Sequence, residues 1–142
     1  PCRRYCPLRT QTETAVLLHE IAHWLIAPPE RRCLPDFGLG AGPETGRVAE
    51  ADAARCVDDA TKETEENVAS LLGILWEAEL GGPALIAFCE QNWLELHDRP
   101  GTALHFVSVY DALRTRDVIT ENGQPKPVSS NPSVCPILSS CL

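Results

Sequence analysis

Residues 14–27 read Thr-Ala-Val-Leu-Leu-His-Glu-Ile-Ala-His-Trp-Leu-Ile-Ala, and this stretch decides the fold. Apart from two histidines and one glutamate it is nearly all apolar, which predicts a helix that is buried on most of its faces. Thr10 and Glu13 have the spacing of a capping box and indicate that the helix starts there. Because proline cannot continue a helix interior, Pro28 and Pro29 should end it.

The polar residues of this helix form the motif H-E-x-x-H, running from His19 to His23. Residues four apart lie on the same face of a helix, so the two imidazoles can reach one metal ion together. Glu20 lies to the side, where it can act on a water bound to that ion. The alternative is a pair of core histidines bonded to backbone carbonyls, with Glu20 paired to an arginine. Burying three such side chains is costly without strong partners, so we predict that His19 and His23 bind a divalent metal.

A second helix is predicted to begin with Thr64 as its N-cap and to run to Leu80, where a Gly-Gly-Pro sequence follows. Glu65 and Glu66 would lie in its first turn, where acidic residues favour the helix dipole. Its apolar residues recur at helical spacing: Val68, Leu71, Leu72, Leu75 and Trp76.

A metal site of this type needs a third protein ligand and an open position. Small residues lie three, four and seven positions after Glu66, so they share its face and allow a close approach to the motif helix. The stretch 66–73 is also similar to the glutamate helix of thermolysin-like peptidases. We therefore predict Glu66 as the third ligand and Glu65 as the alternative ligand. The other possibility is that both glutamates only interact with the dipole at the start of the helix. The full set of candidates is Asp36, Glu44, Glu65 and Glu66.

The length of 142 residues fits one compact domain. We predict a metal-binding catalytic domain over 1–121 and a flexible tail over 122–142, where Pro, Ser and Asn are frequent. Between the two main helices, 28–48 is predicted as loop and 49–63 as a solvated helix or a mobile connection. A third helix is expected over 83–96, and 102–119 is apolar and either helix or strand.

Charge and cysteine content restrict the partners and the compartment. A net charge of -8 argues against nucleic acid and against an anionic membrane surface. No apolar run is long enough to span a membrane, and no signal peptide is recognised. The seven cysteines are odd in number, irregularly spaced and without a CxxC pair, which favours reduced thiols in a cytoplasmic protein.

Several further residues have two interpretations each. Trp24 is expected to be core rather than to line the site, and the two arginines at 31–32 are expected to be solvated. Asp36 either orients a ligand histidine or serves the turn of its Asp-Phe-Gly sequence. No role is assigned to His97 or His105.

A longer pattern resembles the bacterial elongation factor P hydroxylase family. His-Glu-Ile-Ala-His-Trp at 19–24 is followed by Ile-Ala at 26–27, Arg-Arg at 31–32 and Asp-Phe-Gly at 36–38, at the offsets of that family. The resemblance extends over about 15–95, where Pro43, Gly46-Arg47, Glu66, Gly81 and Pro83 also find counterparts. The family has aromatic residues and a cysteine after Asp-Phe-Gly, where this chain has Leu-Gly-Ala-Gly.

The resemblance implies a zincin-like fold, mainly α or α+β, in which the metal lies between the H-E-x-x-H helix and a second helix. It implies that His19, His23 and Glu66 hold Fe(II), with Zn(II) as the alternative, and that Glu20 is a catalytic acid or base. It further implies hydroxylation of a modified lysine on a translation factor. Two other hypotheses stay open: a zinc peptidase in which Glu20 is the general base, and a non-enzymatic protein that keeps the metal for structure.

Overall fold

The computed structural model describes residues 13–42, 45–90 and 102–127. Within these ranges the chain is mainly helical, as predicted, and its only β pairing is an isolated antiparallel bridge between Ile119 and Pro125. A β-sheet, the α+β alternative, is absent from the part of the chain described. The helices are α1 (Thr14–Ile26), α2 (Val48–Ala54), α3 (Asp59–Glu79), α4 (Ala84–Glu90) and α5 (Thr102–Thr115).

The motif helix α1 ends where the proline pair predicts, with Ala27 as its C-cap. It begins with Glu13 as N-cap, whose side chain makes no capping hydrogen bond, and Thr10 lies outside the described residues. The predicted burial is too extensive. In this helix only Leu18, Ala22 and His23 are buried, because among the described elements α1 packs extensively only against α3.

Helix α3 begins earlier than predicted. Asp58 is its N-cap, and its carboxylate accepts a hydrogen bond from the backbone N–H of Thr61 at 2.8 Å. Thr64 is inside the helix, and its hydroxyl donates back to the carbonyl of Ala60 at 2.8 Å. Glu66 therefore stands in the body of α3, about two turns from its start, and does not decorate a helix terminus.

Helix α3 is the centre of the fold, since α1, α4 and α5 all pack against it. Its apolar face supplies half of the buried core cluster, including the fully buried Val68, Leu71 and Leu72. The small residues predicted to permit a close helix approach do so, because Gly73 lies directly against the backbone of His19. This contact brings the two site-bearing helices together.

The structure also locates the other segments that the sequence predicts. Helix α4 is described from Ala84 as far as Glu90, and the rest of the third predicted helix lies outside the described residues. The ambiguous apolar segment is the helix α5, followed by a turn in which Lys126 pairs with Asp117 at 2.5 Å. The predicted tail thus begins inside a hydrogen-bonded turn; residues 128–142 are not among those described. The region 49–63 is helical over α2 and again from Asp59.

Two further observations concern the surface and the thiols. None of the described helices is long and apolar enough to cross a membrane. Cys56 and Cys89 are free, as expected for reduced thiols. The prediction of a reduced thiol is wrong for Cys33, which is disulfide-bonded.

Candidate metal centre

Three polar side chains from α1 and α3 converge on one point. The Nε2 atoms of His19 and His23 are 3.0 Å apart. The Oε2 atom of Glu66 lies 3.1 Å from Nε2 of His23 and 3.6 Å from Nε2 of His19. In the described parts of the chain, this is the group of three side chains that could hold a metal ion. The structure thus brings together the three residues that the sequence analysis proposes as ligands.

The spacing of these atoms fits a metal ion. Ligand atoms about 2.1 Å from a common ion and 3.0–3.6 Å from one another subtend about 90–120° at that ion. Such angles occur in both octahedral and tetrahedral coordination. Without a cation, the imidazoles can bond to the Glu66 oxygen by each donating an Nε2 proton, but this places two N–H donors only 3.0 Å apart. The three side chains therefore form a group that could hold a metal ion.

Glu66 is held as a carboxylate. Its partial burial opposes ionisation, but hydrogen bonds from His19 and His23, with the positive charge of the imidazoles when protonated, outweigh that effect and lower its pKa. An ionised oxygen that faces two imidazoles is the form in which glutamate binds metals. His23 is 5% exposed, whereas the side chains of His19 and Glu66 are 26% and 39% exposed, so the site opens to solvent on their side.

Glu20 is adjacent to this group and differs from Glu66 in its ionisation. Burial raises its pKa, and the charges of Asp36 and Glu66 act in the same direction, while those of His23 and His19 oppose them. A carboxylate with a raised pKa is more basic than an ordinary one and is therefore better able to accept a proton. The acid or base role of Glu20 stays a prediction.

The alternative ligand, Glu65, has another partner. Its carboxylate accepts a hydrogen bond from Nη2 of Arg31 at 2.5 Å, and both side chains are about 10% exposed. Arg31 is therefore buried and paired, and the expectation of a solvated arginine is wrong for it. A buried ion pair is costly to break. The Glu65 carboxylate therefore stays bonded to Arg31 and does not join the two histidines. Glu44 lies outside the described residues.

Asp36 belongs to a tight turn, Pro35–Gly38. Its carboxylate accepts a hydrogen bond from the hydroxyl of Thr45, and its carbonyl accepts one from the N–H of Leu39 at 2.9 Å. These contacts favour the turn interpretation of Asp36 over the orientation of a ligand histidine. Among the described contacts, its link to the site is the effect of its charge on Glu20.

The same turn contains an unusual backbone conformation. Asp36, Phe37 and Gly38 have φ angles of 44°, 53° and 73°, in the left-handed region. For a bulky residue such as Phe37 this costs about 1–3 kcal/mol, so surrounding contacts must hold it. The result is that the Phe37 ring lies against the His23 ring, with centroids 5.7 Å apart and planes inclined by 15°.

The end of α1 is fixed by Arg32. Its guanidinium donates to the carbonyls of Ala27 and Leu25 at 2.9 and 3.4 Å. It also stacks over the ring of Trp24, 4.5 Å from the centroid. Arg32 thus stabilises the helix that carries both histidines, a role that the sequence analysis did not predict. Trp24 is half-buried beneath it and is not part of the hydrophobic core cluster, so the expectation of a core tryptophan is wrong.

The comparisons with known proteins agree with the resemblance drawn from the sequence. The family model described as elongation factor P hydroxylase matches residues 9–58, about a third of the chain. The matched segment contains α1 with both histidines and Glu20, and also the Pro35–Gly38 turn; Glu66 lies beyond it. No curated protein and no solved structure matches the chain.

Proposed function

We propose that this chain is a metal-dependent hydroxylase similar in chemistry to elongation factor P hydroxylase, and that His19, His23 and Glu66 are its metal ligands. One observation carries the proposal. The segment matched by that family supplies the two imidazoles, and helix α3 supplies a carboxylate 3.1 Å from one of them. The family match alone does not include this third ligand.

Fe(II) is the metal that the proposal favours. Two histidines and one carboxylate on one side of the ion leave other positions free, which is the arrangement of non-haem iron oxygenases. Iron so bound would supply the activation of dioxygen. The chain contributes the orientation of the ligands, through the packing of α1 on α3, and a proton acceptor at the carboxylate of Glu20.

The proposed substrate is a translation factor, as the family description suggests, and we propose a lysine side chain as the group that is hydroxylated. Glu20 follows His19 in sequence, the charge of Asp36 acts on Glu20, and the chain has a net charge of -8. A cationic side chain would be attracted to such surroundings. A zincin-like arrangement, a catalytic domain over 1–121 and a cytoplasmic location belong to the same proposal.

A zinc peptidase with Glu20 as general base uses the same ligands and is the second candidate. It would need an exposed strand edge to hold an extended peptide, and the described residues contain only the isolated bridge near the C-terminal end of the described chain. A purely structural metal site would have four protein ligands, and the described residues bring three together. Both alternatives are therefore less well supported.

The test is anaerobic purification with metal analysis of the wild-type protein and of His19→Ala. We expect iron in the wild type, oxygen uptake in the presence of elongation factor P, and loss of iron in the variant. Val16→Ala, an exposed change on the same helix, is the control and should keep its iron. Tightly held zinc with peptide cleavage would exclude hydroxylation, and unchanged metal content in His19→Ala would exclude the site itself.

A further inference from the structure

The contacts around Arg31 form a connected path from α3 to His23. The Arg31 guanidinium is bonded through Nη2 to Glu65, and through Nη1 it donates to the carbonyl of Phe37 at 3.2 Å. Phe37 in turn lies against the ring of His23. One planar side chain thus joins the helix that carries Glu66 to the residue that covers a histidine of the metal group.

The contacts of this path stabilise an unfavourable backbone conformation at Phe37. Its φ of 53° is disfavoured for a side chain with a β-carbon, so the turn needs a partner that holds its carbonyl in place. Arg31 provides that partner from a buried position, being 8% exposed. Other contacts of the turn, such as the bond from the Cys56 N–H to the Gly38 carbonyl, hold its far end.

The position of the Phe37 ring limits how the His23 imidazole can rotate. Nε2 of His23 must face both His19 and Glu66, at 3.0 and 3.1 Å. Rotation of the imidazole about its bond to the β-carbon would turn Nε2 away, and a nearly parallel ring against one face opposes that rotation. Groups that orient a metal-binding histidine affect metal affinity although they do not touch the metal.

We infer that Arg31 is a positioning residue of the metal site, which holds the Phe37 turn and thereby the orientation of the His23 imidazole. This inference rests on the proposed metal site. Glu65 is the anchor of Arg31, so two neighbouring residues of α3 serve the site in different ways. Glu66 faces the metal position, and Glu65 holds the arginine that orients one of the histidines.

The test measures Co(II) affinity of the full chain by competition with a chelator, together with the visible spectrum of the bound Co(II). Arg31→Lys keeps the positive charge for Glu65 but lacks the planar fork that also reaches the Phe37 carbonyl. We expect affinity to fall about 10-fold, as is common for groups behind a metal ligand, and the Co(II) bands to change. Arg47→Lys, a change at an exposed arginine that pairs with Glu50, should stay within about twofold of the wild type.

A double-mutant cycle shows whether Arg31 acts through Phe37. Phe37→Leu should also lower affinity about 10-fold, and the double variant R31K/F37L should lose little more than either single variant, because coupled residues are not additive. Losses that multiply to about 100-fold would overturn the inference, as would a wild-type affinity and spectrum for Arg31→Lys.

Two further variants keep the test decisive. If Arg31→Lys does not fold, Glu65→Gln replaces it: the amide still accepts a hydrogen bond from Arg31, and a loss of a few-fold is expected, whereas no loss would contradict the inference. His19→Ala reports on the proposed site independently. If it binds Co(II) like the wild type, the metal site is wrong; if it loses Co(II) while the Arg31 and Glu65 variants do not, only the positioning role is wrong.

Discussion

Gly73 of α3 lies against the backbone of His19 of α1, at a distance where an added methyl group would be crowded by a few tenths of an ångström. A Cβ at position 73 would be 3.1 Å from the nitrogen and 3.2 Å from the Cα of His19. The neighbouring atoms belong to a helix backbone, which cannot move aside as a flexible side chain can. The absence of a side chain at position 73 therefore allows the close spacing of the two helices that carry the proposed ligands.

Gly73→Ala should lower both stability and metal affinity. Alanine is better than glycine in a helix by about 1 kcal/mol, but forcing a methyl group into a tight contact costs about 1–3 kcal/mol. We expect a net loss of about 1 kcal/mol in the free energy of unfolding, measured with urea, and weaker Co(II) binding as α1 moves away from Glu66. Gly46→Ala is the control, since a Cβ there meets no atom within 4 Å. A more stable Gly73→Ala with unchanged affinity would contradict this contact.

Glu66→Gln and Glu65→Gln form a matched pair that separates the two adjacent glutamates. Glu66 has its Oε2 atom 3.1 Å from His23, so its amide variant should lose metal by more than the 10–100-fold typical of outer contacts. Glu65 is bonded to Arg31 and should lose only a few-fold. Metal titration of both proteins decides the question, and equal losses would show that the two carboxylates share the site.

Glu20→Gln should keep the metal and lose activity. The amide occupies the same space but cannot take up a proton, and proton transfer by a placed side chain contributes about 10²–10⁴-fold. Metal content and hydroxylation of elongation factor P, followed by mass spectrometry, would be measured on one preparation. Glu63→Gln, an exposed change on α3, serves as control. Loss of the metal in Glu20→Gln would instead identify Glu20 as a ligand.

Asp58→Ala should shorten α3 from its N-terminus and lower the melting temperature by a few degrees. The hydrogen bonds from Thr61 lower the pKa of Asp58 below its ordinary value of 3.8. A lowered pKa in the folded state gives stability that is complete above pH 3.8 and is lost as pH falls through the folded value. The difference in melting temperature between wild type and variant should therefore be constant from pH 5 to 7 and shrink below about pH 3.8. Asp58→Asn, which still caps, should show a smaller difference at neutral pH; a loss equal to that of Asp58→Ala would argue against a capping role.

The sequence was sufficient for the local features of the site. The spacing of His19 and His23 predicts their common face, the proline pair predicts the end of α1, and the small residues after Glu66 predict the close helix contact. These features depend on helix periodicity and side-chain size, which are readable within about ten residues. That the three residues bind a metal remains a prediction.

The sequence was insufficient wherever partners are distant along the chain. Arg31 and Glu65 are 34 residues apart, and nothing local in an Arg-Arg pair reveals a buried carboxylate opposite one arginine. The left-handed Phe37 is likewise enforced by tertiary contacts and has no signal in its own residue type. The start of α3 is a different case, because Asp58 and Thr64 are both good N-cap residues by type. The prediction placed the N-cap at Thr64, whereas the helix begins after Asp58.

The early start of α3 has a consequence for the exchange of backbone hydrogens near the site. Glu66 is seven residues beyond Asp59 (66 − 59 = 7), so its amide lies inside the hydrogen-bonded ladder and not in the fraying end of the helix. We therefore expect slow hydrogen exchange of the Glu66 amide, at a rate that follows a larger opening of α3 and not the fraying of its first turn.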